Sequence, residues 1–335
     1  MKPDRLAVAF LGLHPDRRRD LCARHGGPRG LIAAVRRGRV EGIDPGMVTS
    51  ARERTAALQG CGVHPVFLGD PDYPAALAAI ADPPDMLFVR GTLPVVPSVA
   101  VVGTRRSTAY GRGLARAFGR AIAAAGWALC SGLARGIDGE AHRGTLEAGG
   151  IGVGVLGCGS DVVYPREHAG LIAGLGRSGA IVTEYPPGTA PHGWRFPPRN
   201  RIISGLSRAV VVVEAGTTGG ALVTAARAAE QGREVFAVPG DVDRESSIGC
   251  NLLIRDGAIP VLGPDDLVEA LSLVLGPALP RAGSGRVAIP PSGVSLEDLG
   301  ALIGLGGVAL LAWLGRAELA GSIRVDGSRV YPGPG

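Results

Sequence analysis

The amino-acid sequence predicts an α/β fold: a doubly wound parallel sheet, preceded by a small helical module and followed by a winged-helix-like domain. Three observations carry this. Ala209-Val-Val-Val-Val213 is continuously apolar and β-branched, the pattern of a strand buried on both faces. Similar runs recur at Leu87–Val89, Val99–Val102, Trp127–Cys130, Ile151–Val155, Ile181–Val182, Val235–Val238 and Ile259–Leu262. Helical segments such as Gly113–Ala125, Asp138–Ala148 and Ala221–Gln231 separate most of them, which is the signature of right-handed βαβ units.

The elements follow in order. Residues 1–62 read as short helices, at Leu6–His14, Arg17–Arg24 and Leu31–Val35, with Gly26-Gly27-Pro28 as a break. This module fits a weak DNA-contacting hairpin, and fits a plain cap or partner-binding module at least as well. Residues 63–275 hold the strands and helices of the main domain. Residues 276–293 are rich in Pro, Gly and Ser and read as a linker. Within 294–335, Ser295 followed by acids starts a helix, Val308–Leu314 and Ala317–Ala320 continue helical, and Ile323–Val325 with Arg329–Tyr331 form a hairpin about Asp326-Gly327. Three helices and a hairpin make a small winged-helix pattern.

Composition narrows the function classes. Of 335 residues 46% are apolar, ample for a core, and aromatics are only 4%, so an exposed ring is a strong stacking candidate. The net charge of +5 permits nucleic-acid binding without requiring it. Lys2 is the only lysine; a coding bias explains most of that ratio, although arginine also binds phosphate bidentately and stacks on bases. Cys22, Cys61, Cys130, Cys158 and Cys250 are far apart with no CxxC pair, which points away from zinc and disulfides and towards a reducing, cytoplasmic setting. No secretory signal and no run of membrane-spanning length is visible.

In a doubly wound sheet the ligand lies outside the carboxyl ends of the strands. Five turns fall there. Gly103-Thr104-Arg105-Arg106, running on to Tyr110, and Ser131-Gly132, leading to Asp138, place small groups and cations between strand and helix. Two such turns in succession favour an anion site over ordinary tight turns. Gly157–Pro165 offers Tyr164 as a stacking ring, and Glu214–Thr224 has small residues that let backbone approach a ligand. Val238–Asp241 is the fifth. Phe196–Glu214 brings an aromatic, Arg199, Arg201, Asn200 and two hydroxyls directly before a buried strand, where polar groups are costly unless they face a ligand. Arginine forks, an amide and a ring suit phosphate and base, so nucleic acid is the first expectation. Gly152, Gly154 and Gly157 fit GxGxxG but lie within a strand, which rejects a dinucleotide fingerprint and ranks an NAD-dependent oxidoreductase last. No nucleophile–base–acid set is visible; Asp138 and Glu214 read as loop-orienting carboxylates, and no metal or cofactor is expected.

These blocks, taken in order, resemble the DNA-processing protein A family (DprA, also called Smf). The motifs are Asp70-Pro-Asp-Tyr-Pro74, Gly103-Thr-Arg105, Ser131–Asp138, Gly157–Pro165, Glu184–Gly188, Phe196–Ser204, Glu214–Thr224 and Gly249–Gly257. The resemblance implies an extended Rossmann-like fold, single-stranded DNA binding, a homodimer, and a role in loading the RecA recombinase during natural transformation, without catalysis. It implies a RecA-type recombinase as partner, with single-stranded DNA-binding protein as a further candidate. It also implies that Arg105 holds phosphate, helped by Thr104, Ser131 and Gly132. Phe196, Arg199, Asn200 and Arg201 would then line a pocket for a base and its phosphate, with Arg106, Tyr110, Tyr164, Ser204, Thr218, Gly220 and Thr224 around it. The chain departs from the family pattern at His168-Ala169, where a basic residue is usual and Arg166 is the candidate replacement, and at Gly219, where serine is usual. The main alternative is a nucleotide phosphoribohydrolase on a related fold with Glu214 catalytic, although the Pro-Gly-Gly-x-Gly-Thr loop of that class is absent as a unit.

Overall fold

The computed structural model describes residues 2–276, 289–303, 310–311, 314–315, 317–318 and 323–333. Four helices open the chain, α1 (Lys2–Ala9), α2 (Pro15–Arg24), α3 (Pro28–Arg36) and α4 (Ala51–Gly60). Strands β1 (His64–Phe67), β2 (Met86–Gly91), β3 (Ser98–Val102), β4 (Ala128–Ser131), β5 (Ile151–Leu156), β6 (Ala180–Thr183), β7 (Ala209–Val212), β8 (Glu234–Ala237) and β9 (Ile259–Pro260) form one sheet. Helices α5 (Ala75–Ala78), α6 (Ala109–Ala124), α7 (Ile137–Glu147), α8 (Ala169–Ser178), α9 (Phe196–Leu206), α10 (Gly220–Glu230), α11 (Glu245–Arg255) and α12 (Pro264–Leu275) connect and follow its strands.

Strand order is β1-β2-β6-β5-β4-β3-β7-β8-β9. From β6 to β9 every pairing is parallel, whereas β2 runs antiparallel to both β1 and β6. The expected doubly wound parallel sheet is thus present, with β1 and β2 added as an antiparallel edge.

Alternation along the central strands explains their continuous apolarity. Ala100 and Val102 of β3, with Val210 and Val212 of β7, pack under Ile202 and Ile203 of α9 and Ala225 and Ala228 of α10. Val99, Val101, Ala209 and Val211 face the other way, onto Phe118 and Ile122 of α6, Ile137 and Ala141 of α7, and Leu267 of α12. Helices α6 and α7 approach closely because glycine leaves room. A Cβ on Gly119 would lie 2.0 Å from the Ala141 carbonyl oxygen, and one on Gly144 1.9 Å from that of Arg116.

The N-terminal helices have a core of their own, built on Val8, Leu11, Leu31 and Val35. Ala9 and Leu58 join Phe67, Met86 and Phe88 of β1 and β2, which seats the module on the antiparallel edge. After α12, strands β10 (Val294–Ser295), β11 (Ile323–Asp326) and β12 (Arg329–Pro332) form a small antiparallel sheet in the order β10-β12-β11, beside α13 (Leu296–Ile303). The predicted hairpin is β11–β12, with β10 an unforeseen third strand. Most of the linker and most of the two helices expected over 308–320 lie outside the described residues.

Candidate functional site

Between β3 and β7 the winding of the sheet reverses, and a crevice opens outside their carboxyl ends. A cleft of about 610 Å³ occupies it, walled by the turns after β3 and β7 and by the start of α9. The expected residues Gly103, Thr104, Arg105, Tyr164, Phe196, Arg199, Asn200, Thr218, Gly220 and Thr224 all line this cleft. Gly132 lines an adjoining recess that shares Arg105, Tyr164, Phe196 and Arg199 with it.

The Phe196 segment is a helix rather than an irregular approach to β7. Pro197 and Pro198 in its first turn need no intrahelical N–H partner, which suits the start of a helix. Helical spacing then sorts the side chains. Phe196, Arg199, Asn200 and Ile203 stand at i, i+3, i+4 and i+7 and share the face that lines the cleft. Arg201 and Ser204 point elsewhere. Arg201 Nη1 donates to Glu184 Oε2 at 2.9 Å, its Nη2 to Oε1 at 3.1 Å, and its Nε lies 3.1 Å from Asp82 Oδ2. Ser204 Oγ donates to carbonyls of its own helix, to Asn200 at 3.3 Å and to Arg201 at 3.3 Å. The expected phosphate role of Arg201 and ligand role of Ser204 are corrected: both groups are buried and satisfied inside the fold.

At the centre of the site, the rings of Tyr164 and Phe196 stack, 5.5 Å between centroids and 30° between planes. The Arg105 guanidinium lies 5.4 Å from the Phe196 centroid and that of Arg199 5.9 Å. Arg105 is exposed and has no acidic partner among the described residues. Arg199 is buried; Nη1 donates to the carbonyls of Gly132, at 2.8 Å, and Val155, and Nε to Asn200 Oδ1 at 3.2 Å. Asn200 Nδ2 in turn donates to the Gly220 carbonyl at 3.1 Å, tying α9 to the start of α10. A Cβ on Gly132 would meet the Arg199 guanidinium at 2.6 Å, so a side chain there would displace it. Burial pulls the Arg199 pKa below the usual guanidinium range; Asp138 opposes this and Arg105 reinforces it. Two cations held together at one cleft favour an anionic ligand.

Two donors expected at the ligand, the Ser131 hydroxyl and the Gly132 N–H, are engaged elsewhere. Ser131 Oγ donates to the Val101 carbonyl at 2.6 Å, inside the sheet. The N–H groups of Gly132 and Ala134 donate to Asp138 Oδ2 at 3.1 and 3.5 Å. Burial pushes the Asp138 carboxyl up, while Arg199 and these N–H groups act in the opposite direction. The roles expected of Ser131 and of the Gly132 N–H are thus corrected. Glu214 is likewise turned inward: Oε2 accepts the Thr108 N–H at 2.9 Å and Oε1 the Thr108 hydroxyl. Thr104 Oγ1 accepts the Arg106 N–H at 3.2 Å, which leaves its own proton to donate.

Arg106, Tyr110 and Arg166 are exposed but do not line the cleft; Arg166 borders a shallow groove on the other side of Tyr164. His168 is buried, with Nδ1 3.1 Å from the Leu133 carbonyl, so it supports the turn after β4. Gly219 caps α10 with φ +146° and no side-chain hydrogen bond. The lining also includes Pro191, Gly193 and Ile203, which the sequence did not single out. Only the helical spacing from Phe196 would have pointed to Ile203.

Comparison with known proteins places this geometry among relatives. The family model for DNA recombination-mediator protein A matches residues 64–272. Protein Smf of Escherichia coli is 47% identical over 206 residues, covering 61% of this chain and 55% of that protein. The DNA processing protein DprA of Bacillus subtilis is 40% identical over 219 residues, covering 64% and 74%. The match thus spans about half of the first relative's length. Among solved structures, DprA of Streptococcus pneumoniae superposes with a TM-score of 0.64 at 33% identity, covering 80% of this chain and 93% of that one. DNA processing protein A of Helicobacter pylori, solved for its single-stranded DNA binding mode, gives a TM-score of 0.56 at 25% identity, covering 62% and 95%.

Proposed function

The chain belongs to the DNA recombination-mediator protein A family, and from that premise we propose that it binds single-stranded DNA in the cleft between β3 and β7. On the same reading it assists loading of a RecA-type recombinase in natural transformation and DNA recombination, acting as a homodimer in the cytoplasm. The observation that carries the DNA reading is the Tyr164–Phe196 stack with Arg105 and Arg199 against it. Rings and guanidinium groups so placed seat a base and its phosphate together without reading sequence.

No catalytic step is assigned. The phosphoribohydrolase alternative requires Glu214 to face the ligand, and both its oxygens are held by Thr108. The test is oligonucleotide binding across a salt series. Affinity for single strands should fall linearly in log–log form as salt rises. Equal or tighter binding to duplex of the same length would overturn the stacking role, because paired bases cannot splay onto a ring.

A further inference from the structure

We propose that the DNA track leaves the cleft over Gly193 and continues onto Trp194 and His14, so that the N-terminal module supplies part of the nucleic-acid surface. The inference rests on the single-stranded DNA reading above and adds a second stacking subsite to it. Trp194 sits in the short 3-10 turn Gly193–Arg195, two residues before Phe196, and its neighbour Gly193 lines the cleft. Trp194 is 42% exposed, whereas Trp127 is buried.

The surroundings of that indole are built rather than incidental. The Arg195 guanidinium lies 4.6 Å from the ring centroid and also 5.2 Å from that of Tyr185. Tyr185 meets the indole edge-on at 6.3 Å, and the His14 imidazole lies 5.2 Å away at 36°. Aromatic rings backed by a guanidinium are what sequence-tolerant single-strand sites use to seat successive bases. A contact that only glued the module to the sheet would bury the indole.

His14 comes from the other end of the chain, at the N-cap of α2, where Nδ1 accepts the Asp16 N–H at 3.3 Å. Its placement does not depend on the ring contact. One turn along α2, Arg18 donates to Glu184 inside the protein, and Glu184 also holds Arg201 of α9. The buried charges therefore fix His14 relative to the helix whose other face lines the cleft.

The test compares wild type, Trp194→Ala, Trp194→Phe and His14→Ala, using oligothymidylates from about four to about sixteen nucleotides. The shortest strands should bind all four proteins alike. Longer strands should bind Trp194→Ala about fivefold or more weakly, as expected for one lost stacking contact, with Trp194→Phe close to wild type and His14→Ala between them. A strand carrying 5-iododeoxyuridine should photocross-link to Trp194 in the unaltered protein, a readout that needs no variant to fold. Cross-links confined to cleft residues, or a Trp194→Ala protein equal to wild type at every length while Arg105→Ala loses affinity, would overturn the subsite alone. A wild type that binds no single-stranded DNA would overturn the underlying reading as well.

Discussion

Two arginines on α9, two positions apart, behave as different residues because the helix turns them to opposite sides. Arg199 reaches the cleft, while Arg201 is enclosed with Glu184. Replacing Arg201 with Ala should remove one of the two guanidinium partners of the buried Glu184 and lower stability, read as a shifted denaturant midpoint. Arg105 is the converse: exposed, without an acidic partner among the described residues, and poised over Phe196. Arg105→Ala should leave the midpoint nearly unchanged, weaken single-strand binding across all sequences, and reduce the salt slope by about one. If Arg201→Ala were stable and Arg105→Ala bound normally, the assignment of the two faces would be wrong. Both arginines were visible in the sequence with the same ligand expectation. What separates them is about 200° of helical rotation, which follows once the segment is known to be a helix.

At the scale of elements, α7 shows how burial sets a pH limit. Its His142 is fully enclosed, and burial, with His168 acting in the same direction, holds its pKa down to about 3. An unfolded chain would protonate that imidazole near pH 6.5. Between these values the unfolded state binds a proton that the folded state refuses, so stability must fall as pH falls below about 6.5. His168, also held down by burial, adds in the same sense. From pH 6.5 to 5, before the carboxylates titrate, His142 alone should contribute a slope of up to ~1.4 kcal/mol per unit. Thermal melts of His142→Leu should show that slope reduced by one proton; an unchanged slope would remove the imidazole from the account.

Across the whole molecule, one carboxylate joins three parts of the chain. Glu184, just after β6, accepts from Arg18 of the N-terminal module and from Arg201 of α9, and Arg201 also pairs with Asp82. Burial alone would push Glu184 up, but the two guanidinium groups outweigh it and hold the carboxyl below its usual range. Its contribution is therefore present above the ordinary glutamate value and lost as pH falls through the lower folded one. Arg18→Ala should loosen the module from the sheet, seen as faster limited proteolysis within α1–α4 than in the sheet itself. Equal digestion of wild type and variant would mean that the apolar contacts of Ala9 and Leu58 with Phe67 and Phe88 hold the module unaided.

The sequence by itself determined the winding of the sheet, because strands alternate with helices and strands buried on both faces need apolar residues throughout, as the runs at β3 and β7 display. It also pointed to the turns that wall the cleft outside β3 and β7, since glycine-rich turns after such strands gather at one end of the sheet. The tertiary structure alone decided which polar groups face that crevice. Ser131, the Gly132 N–H, Arg201, Ser204 and Glu214 all carry the chemistry of a site, yet each is held by another group of the protein: a carboxylate, a hydroxyl or a backbone carbonyl. A donor's type is written in the chain, but whether it is already satisfied depends on what folding brings within hydrogen-bond reach.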